Sequence, residues 1–142
     1  MFGDAGGDAR VRRILDAEGI KYSVDSDSDF KVIFELENNR TQVAFINSNT
    51  ERFADAEVRE VWSVGLRGEG QLSATVANDL LARNHRYKVG NWETVQQNGK
   101  ILAIFKVYLA ANAGAKELMA SLLLVLKVAD EVEEAYLGSD EL

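Results

Sequence analysis

The segment Asn91–Leu109, NWETVQQNGKILAIFKVYL, decides the fold because it encodes a β-hairpin. Asn98 and Gly99 lie between two runs rich in β-branched and aromatic residues, and both tolerate the positive φ angles of a two-residue type I′ turn. A turn of fixed length also fixes which residues face each other across the hairpin. The predicted register pairs Trp92 with Phe105 and Val95 with Leu102.

A second hairpin is predicted upstream, where residues 30–37 alternate between apolar and polar side chains. Asn38 and Asn39 suit a two-residue turn, which would place the apolar residues of both strands on one face. The expected pairs are Phe34 with Val43, Val32 with Phe45, and Glu37 with Arg40.

The remaining elements follow from capping residues and periodicity. Asp8 caps a helix that stops at Gly19, residues 21–24 and 58–66 form strands, Ser73 caps a second helix, and a long helix spans about 115–136. Residues 47–57 are expected to be a polar connection, and the glycine-rich residues 65–70 an ordinary flexible one. Because hairpins dominate the order α-β-β-β-β-α-β-β-α, we predict an α+β fold with a twisted, mainly antiparallel sheet flanked by helices.

The 142 residues are expected to form one domain over 8–137, with a flexible tail at 1–7 and an acidic tail at 138–142. The net charge of −7 would repel phosphate backbones, so direct nucleic-acid binding is not expected. The absence of cysteine excludes disulfides and thiolate zinc sites. With no signal peptide and no membrane-spanning stretch in the sequence, we predict a cytoplasmic protein.

The stretch VDSDSDF, residues 24–30, has aspartates at alternate positions, as a calcium loop does. An EF-hand loop that began at Asp25 would need Gly and Glu where this chain has Phe30 and Leu36. Asp and Ser also favour turns through bonds to their own backbone, so we predict a hairpin turn here and no metal or other cofactor. With one histidine, His85, and no nucleophile motif, we predict that the protein is not an enzyme.

The polar loop Asn47, Ser48, Asn49 and Thr50 is a candidate binding site for a peptide or small ligand. The alternative is structural, since these side chains can close a tight connection and cap residues 51–53 as a short helical turn. The structural interpretation is favoured.

The long helix has a wider apolar surface than docking on a sheet requires. Leu123 extends its apolar stripe on one side, and Leu124 and Val128 extend it on the other. Either these flanks belong to a larger core, or they are a candidate interaction surface for a second subunit or a client. We predict a C2 homodimer in which apolar surface from this helix or an adjoining strand is buried between subunits or offered to a client.

Several of these motifs together resemble the YbjN family of bacterial sensory transduction regulators. The residues that carry the resemblance are Tyr22, the aspartates of VDSDSDF, FINSNTE at 45–51, Val61-Trp62 and Asn91-Trp92. The resemblance implies a fold similar to that of type III secretion chaperones, commonly homodimeric. It brings no established catalytic residues.

Two functions remain open at this point. The first is a non-enzymatic, homodimeric, chaperone-like adaptor that binds a segment of a client protein. The second is a regulator that senses a small ligand in a pocket near Trp62 and Trp92, although tryptophans in strands more commonly pack in a core.

Overall fold

The computed structural model describes residues 6–137, and these form three helices and an antiparallel sheet. The α+β class and the predicted order of elements are confirmed, with a short strand, β4, in addition. Residues 1–5 and the predicted acidic tail lie outside the described residues. The elements are α1 (Ala9–Ala17), β1 (Ser23–Val24), β2 (Phe30–Glu35), β3 (Thr41–Ile46), β4 (Glu51–Phe53), β5 (Ala56–Glu69), α2 (Ala74–Asn84), β6 (Asn91–Gln97), β7 (Lys100–Ala110) and α3 (Ala115–Ala135).

The sheet has the order β1-β2-β3-β5-β7-β6, and β4 pairs with the start of β5. All three helices contribute to one core with alternate residues of the strands, including Phe30, Ile46, Val61 and Phe105. We call the face that carries these residues the inner face. Strand side chains alternate between two faces, so the residues between them form an outer face that the helices do not cover.

The hairpin β6–β7 has the predicted register, with Trp92 opposite Phe105 and Val95 opposite Leu102. Asn98 and Gly99 have φ angles of 53° and 78°, as a type I′ turn requires. The prediction from this short segment is therefore confirmed.

The predicted register of the hairpin β2–β3 is wrong by one residue. Phe34 pairs with Gln42 and Val32 with Ala44, because the chain turns through a 3₁₀ turn at Glu37–Asn39 instead of a two-residue turn. A shift of one residue moves every side chain of a strand to the opposite face. Gln42 and Ala44 therefore lie on the inner face, and the side chains of Val43 and Phe45 lie on the outer face.

Residues 65–70 are not the flexible connection expected from their glycines, because β5 continues to Glu69. The register of β5 against β7 shifts between Val64 and Leu66, which places an irregularity at Gly65. A Cβ atom on Gly65 would lie 2.5 Å from Cη2 of Trp92. The glycine thus leaves room for the tryptophan ring to pack against the backbone.

Candidate functional site

A buried arginine, Arg59, joins four segments of the chain at one end of the inner face. Its guanidinium donates to the carbonyl oxygens of Asn47 (2.6 Å), Ser48 (3.1 Å) and Ala111 (3.4 Å), and to Oδ2 of Asp8 at 2.7 Å. Hydrogen bonds from Arg10 and then from Arg59 hold the pKa of Asp8 well below its ordinary range. Asp8 is also the N-cap of α1, so this cluster fixes where the first helix begins.

Three of the four side chains of the polar loop form hydrogen bonds with other parts of the protein. Ser48 accepts from the backbone N–H of Asp8, and its own N–H donates to Asp29 Oδ1. Asn47 accepts from the Trp62 indole, and the Thr50 hydroxyl donates to Glu57. Asn49 is exposed, and it forms no hydrogen bond with another residue of the described range 6–137. The loop therefore closes a connection as favoured, but residues 51–53 form strand β4 and not the helical turn expected after it.

The aspartates of VDSDSDF form the turn between β1 and β2, as predicted. Asp25 Oδ1 accepts from the backbone N–H groups of Asp27 and Asp29, at 2.9 and 3.0 Å. Ser28 takes a positive φ of 67°, which lets the turn close. Within residues 6–137, the structure places no three His, Asp or Glu side chains where they could hold a metal together.

On the outer face, Lys106 of β7 lies between two carboxylates. Its Nζ is 3.1 Å from Glu60 and 3.0 Å from Glu93. Burial opposes the charge of Lys106, but hydrogen bonds to Glu93, Tyr108 and Glu60 outweigh it and raise the lysine pKa. A hydrogen bond with Glu60, together with repulsion from it, raises the pKa of Glu51 nearby.

A cavity of about 290 Å³ lies beside this cluster, with Trp62 as its aromatic wall. Phe45 stacks on Trp62 at 4.4 Å between ring centroids. Val95, Leu102 and Ile104 supply apolar surface to the cavity. Trp92 is not part of it, because its ring lies in the core on the inner face. The structure thus separates the two tryptophans that the ligand-sensing hypothesis put near one pocket.

The two flanks of α3 differ in their exposure. Val128 is 5% exposed and belongs to the core, and Leu124 is half-buried against that core. Leu123, on the other flank, is 58% exposed. Of the three residues proposed for an interaction surface, only Leu123 is openly available in this chain.

Leu123 borders a groove of about 520 Å³ between α3 and the β2–β3 turn. We call it the α3 groove. Its apolar floor is formed by Phe34, Leu36 and Leu126, and Leu123 stands at its edge. Its rim carries charged side chains, namely Glu37, Arg40, Lys127, Asp130, Glu131 and Glu134.

Arg40 binds the end of α3 to the β2–β3 turn. Its Nη2 lies 2.8 Å from Asp130 and 3.1 Å from Glu133. The hydrogen bond to Asp130 is the main reason why the arginine pKa is raised. These contacts join the two elements that form the walls of the groove.

Sequence reasoning missed both Arg59 and the far wall of the groove. The alternation of Arg59, Val61 and Ser63 along β5 could have placed the arginine on the inner face. The far wall of the groove is made by Phe34, Leu36 and Arg40. They lie next to α3 because of the way the helix crosses the sheet, and no local sequence pattern predicts that crossing.

The model of the YbjN family, described as "Putative bacterial sensory transduction regulator", matches residues 8–137, which is nearly the whole chain. A search of curated proteins found no match. No helix within the described part of the chain is long and apolar enough to cross a bilayer.

Proposed function

The chain belongs to the YbjN family, and on that premise we propose that it is a non-enzymatic, homodimeric adaptor that holds a segment of another protein. The family assignment supports a regulatory or adaptor role. The proposal adds that the protein binds a client, forms a dimer and is located in the cytoplasm. The absence of cysteine favours the cytoplasmic location.

The α3 groove is the observation that carries the proposal. Phe34 and Leu36 on its floor are half-buried, and the exposed Leu123 stands at its edge. Grooves between a helix and neighbouring elements commonly receive an amphipathic segment, whose apolar side chains enter the groove. A volume of about 520 Å³ accommodates a few such side chains.

The outer face is the proposed dimer surface. Helices leave it uncovered, and it presents Ile33, Val95 and Tyr108, each at least 39% exposed, beside the stacked Phe45 and Trp62. Exposed apolar surface of this kind favours association with another subunit. A C2 dimer would bury the same patch from both chains.

Capture of a client from native bacterial lysate tests the groove. We expect Leu123→Gln to reduce the captured client roughly tenfold, because the edge of a binding groove loses its apolar contact. Leu81→Gln is the matched control, since Leu81 is a helical leucine of similar exposure, at 65%, away from the groove. Equal capture by both variants, each with native circular dichroism, would remove the groove from the proposal.

Sedimentation at micromolar concentration tests the dimer. Ile33→Glu on the outer face should convert the dimer to monomer, because it places a charge in an apolar contact. Val89→Glu, at a residue of similar exposure between α2 and β6, should remain dimeric. A monomeric wild type would contradict the dimer directly.

The ligand-sensing alternative is favoured by one observation, the cavity beside Trp62. A metabolite bound there should change Trp62 fluorescence, and Trp62→Phe should abolish that change. The buried Trp92 remains in that variant as an internal reference for the fold. A metabolite response in the absence of any protein partner would support this alternative over the adaptor.

A further inference from the structure

The last turns of α3 carry an excess of negative charge. Asp130, Glu131, Glu133 and Glu134 lie within the final six residues of the helix, and its last turn contains no basic residue. Carboxylates are unfavourable at a helix C-terminus, where the partial charge of the helix dipole is already negative. This arrangement weakens the isolated helix end and favours the approach of a cation.

The charges of the α3 groove are only partly neutralised by its own cations. Arg40 is committed to Asp130 and Glu133. Glu37, Glu131 and Glu134 form no ion pair among residues 6–137, and the rim has four carboxylates against two cations. The groove thus combines an apolar floor with an unneutralised acidic rim.

We propose that the client segment is cationic and amphipathic, with lysine or arginine side chains flanking two or three apolar ones. The apolar side chains would contact Leu123 and the half-buried Phe34 and Leu36. The basic ones would reach Glu131 and Glu134. The inference rests on the proposed function, since it specifies the partner of the same groove. The same charges would disfavour an anionic lipid surface or a nucleic acid at this position.

Fluorescence anisotropy with the full chain and two labelled helical peptides tests the proposal. Both peptides are about 18 residues long, with leucines at helical spacing; one carries lysines on its polar face and the other carries glutamates. We expect the lysine peptide to bind at least about tenfold more tightly, because only its charges complement the rim.

Two double variants test whether the rim is responsible. Glu131→Gln with Glu134→Gln should weaken the lysine peptide about three- to tenfold, as expected for a few exposed charge contacts. Glu18→Gln with Glu117→Gln removes the same charge from exposed sites outside the groove, at the C-cap of α1 and in the first turn of α3, and should change affinity by less than about twofold. Equal weakening by both pairs would overturn the proposal, since net charge alone would then explain the binding.

Leu123→Gln separates this inference from the proposed function. If this variant loses lysate capture while both peptides bind the wild type alike, the adaptor function stands and the cationic partner is wrong. If the lysine peptide binds the Leu123→Gln variant as tightly as the wild type, and lysate capture is unchanged too, both proposals fail at this groove.

Discussion

Two buried cations on neighbouring strands, Arg59 and Lys106, show how differently the two faces of the sheet are used. Arg59 lies on the inner face, where backbone carbonyls and the Asp8 N-cap surround it. Lys106 lies on the outer face between Glu60 and Glu93, whose side chains are 19% and 34% exposed. The first cation joins distant segments of the chain, and the second joins side chains of adjacent strands.

Arg59 is therefore part of the architecture of the fold, whereas Lys106 and its carboxylates border an accessible surface. If Arg59 is removed, water cannot readily replace it as a donor to the surrounding backbone carbonyl groups, because the arginine side chain is buried. The carboxylates around Lys106 can turn to water, because the face above them is open. Loss of the buried cation is therefore expected to reduce stability more on the inner face than on the outer face.

Arg59→Met provides the strongest test of this comparison. We expect a loss of about 3–5 kcal/mol in the free energy of unfolding, because the change leaves several backbone carbonyl groups without their donor and leaves Arg10 as the remaining cation at Asp8. Urea denaturation followed by circular dichroism would measure it. A loss below about 1 kcal/mol, the range of surface ion pairs, would show that the cluster is solvated in solution.

Gly65→Ala tests the packing of the inner face without altering charge. The new Cβ would lie 2.5 Å from Trp92, so we expect a loss of about 1–3 kcal/mol from overpacking. Gly68→Ala in the same strand is the control, because its Cβ would meet Ile101 at 3.4 Å. Equal melting temperatures for the two variants would mean that the tryptophan ring moves aside freely.

Lys106→Met is the outer-face counterpart of Arg59→Met. A loss of about 1–2 kcal/mol is expected, between the ranges for exposed and enclosed pairs, since Glu60 and Glu93 regain water. The same urea titration compares the two variants directly. If Lys106→Met were as damaging as Arg59→Met, the outer face would be as closed as the inner one.

The pH dependence of stability should also differ between two carboxylates, Glu57 beside Arg10 and Glu51 beside Glu60. Arg10 and then Thr50 lower the pKa of Glu57 to about 2, so the stability from Glu57 is present above its unfolded pKa of about 4 and is lost as pH falls towards 2. Glu51 has a raised pKa and therefore behaves in the opposite way, since the folded protein binds its proton first.

Melting temperatures between pH 7 and pH 3 would resolve these contributions. Glu57→Gln should reduce the loss of stability below pH 4. Glu51→Gln should remove a small gain that appears as the pH falls through the raised pKa of Glu51 towards about 4. Curves for Glu51→Gln and wild type that remain parallel throughout would refute a raised pKa of Glu51 in the folded protein.

The two hairpins explain how far the fold could be predicted from sequence. Asn98-Gly99 specifies one turn, so the whole register of β6–β7 follows from two residues. Asn38-Asn39 lacks a glycine, and the chain closes instead with a bond from the Leu36 N–H to the Arg40 carbonyl. Alternation of apolar residues could not correct this error, because β3 has apolar side chains on both faces.

The candidate site was predictable only where a single helix encodes it. The helical periodicity of α3 indicated Leu123 as an interaction residue, but it indicated Val128 equally, and Val128 is buried in the core. Whether a flank is core or surface depends on what lies opposite it. Phe34 and Leu36 lie opposite Leu123 only because the register of β2–β3 and the docking of α3 bring them there.

The Arg59 cluster also has a consequence for the order in which the chain folds. α1 has nine residues, and an isolated helix of that length is marginal in water. Its N-cap is completed by Arg59, which in turn bonds to the Ala111 carbonyl beyond the end of β7. During synthesis, α1 is made before Arg59 and Ala111, so the helix lacks this complete anchor until the chain has passed residue 111. We expect α1 to be among the last elements to become protected from hydrogen exchange, although it is made before the strands that anchor it.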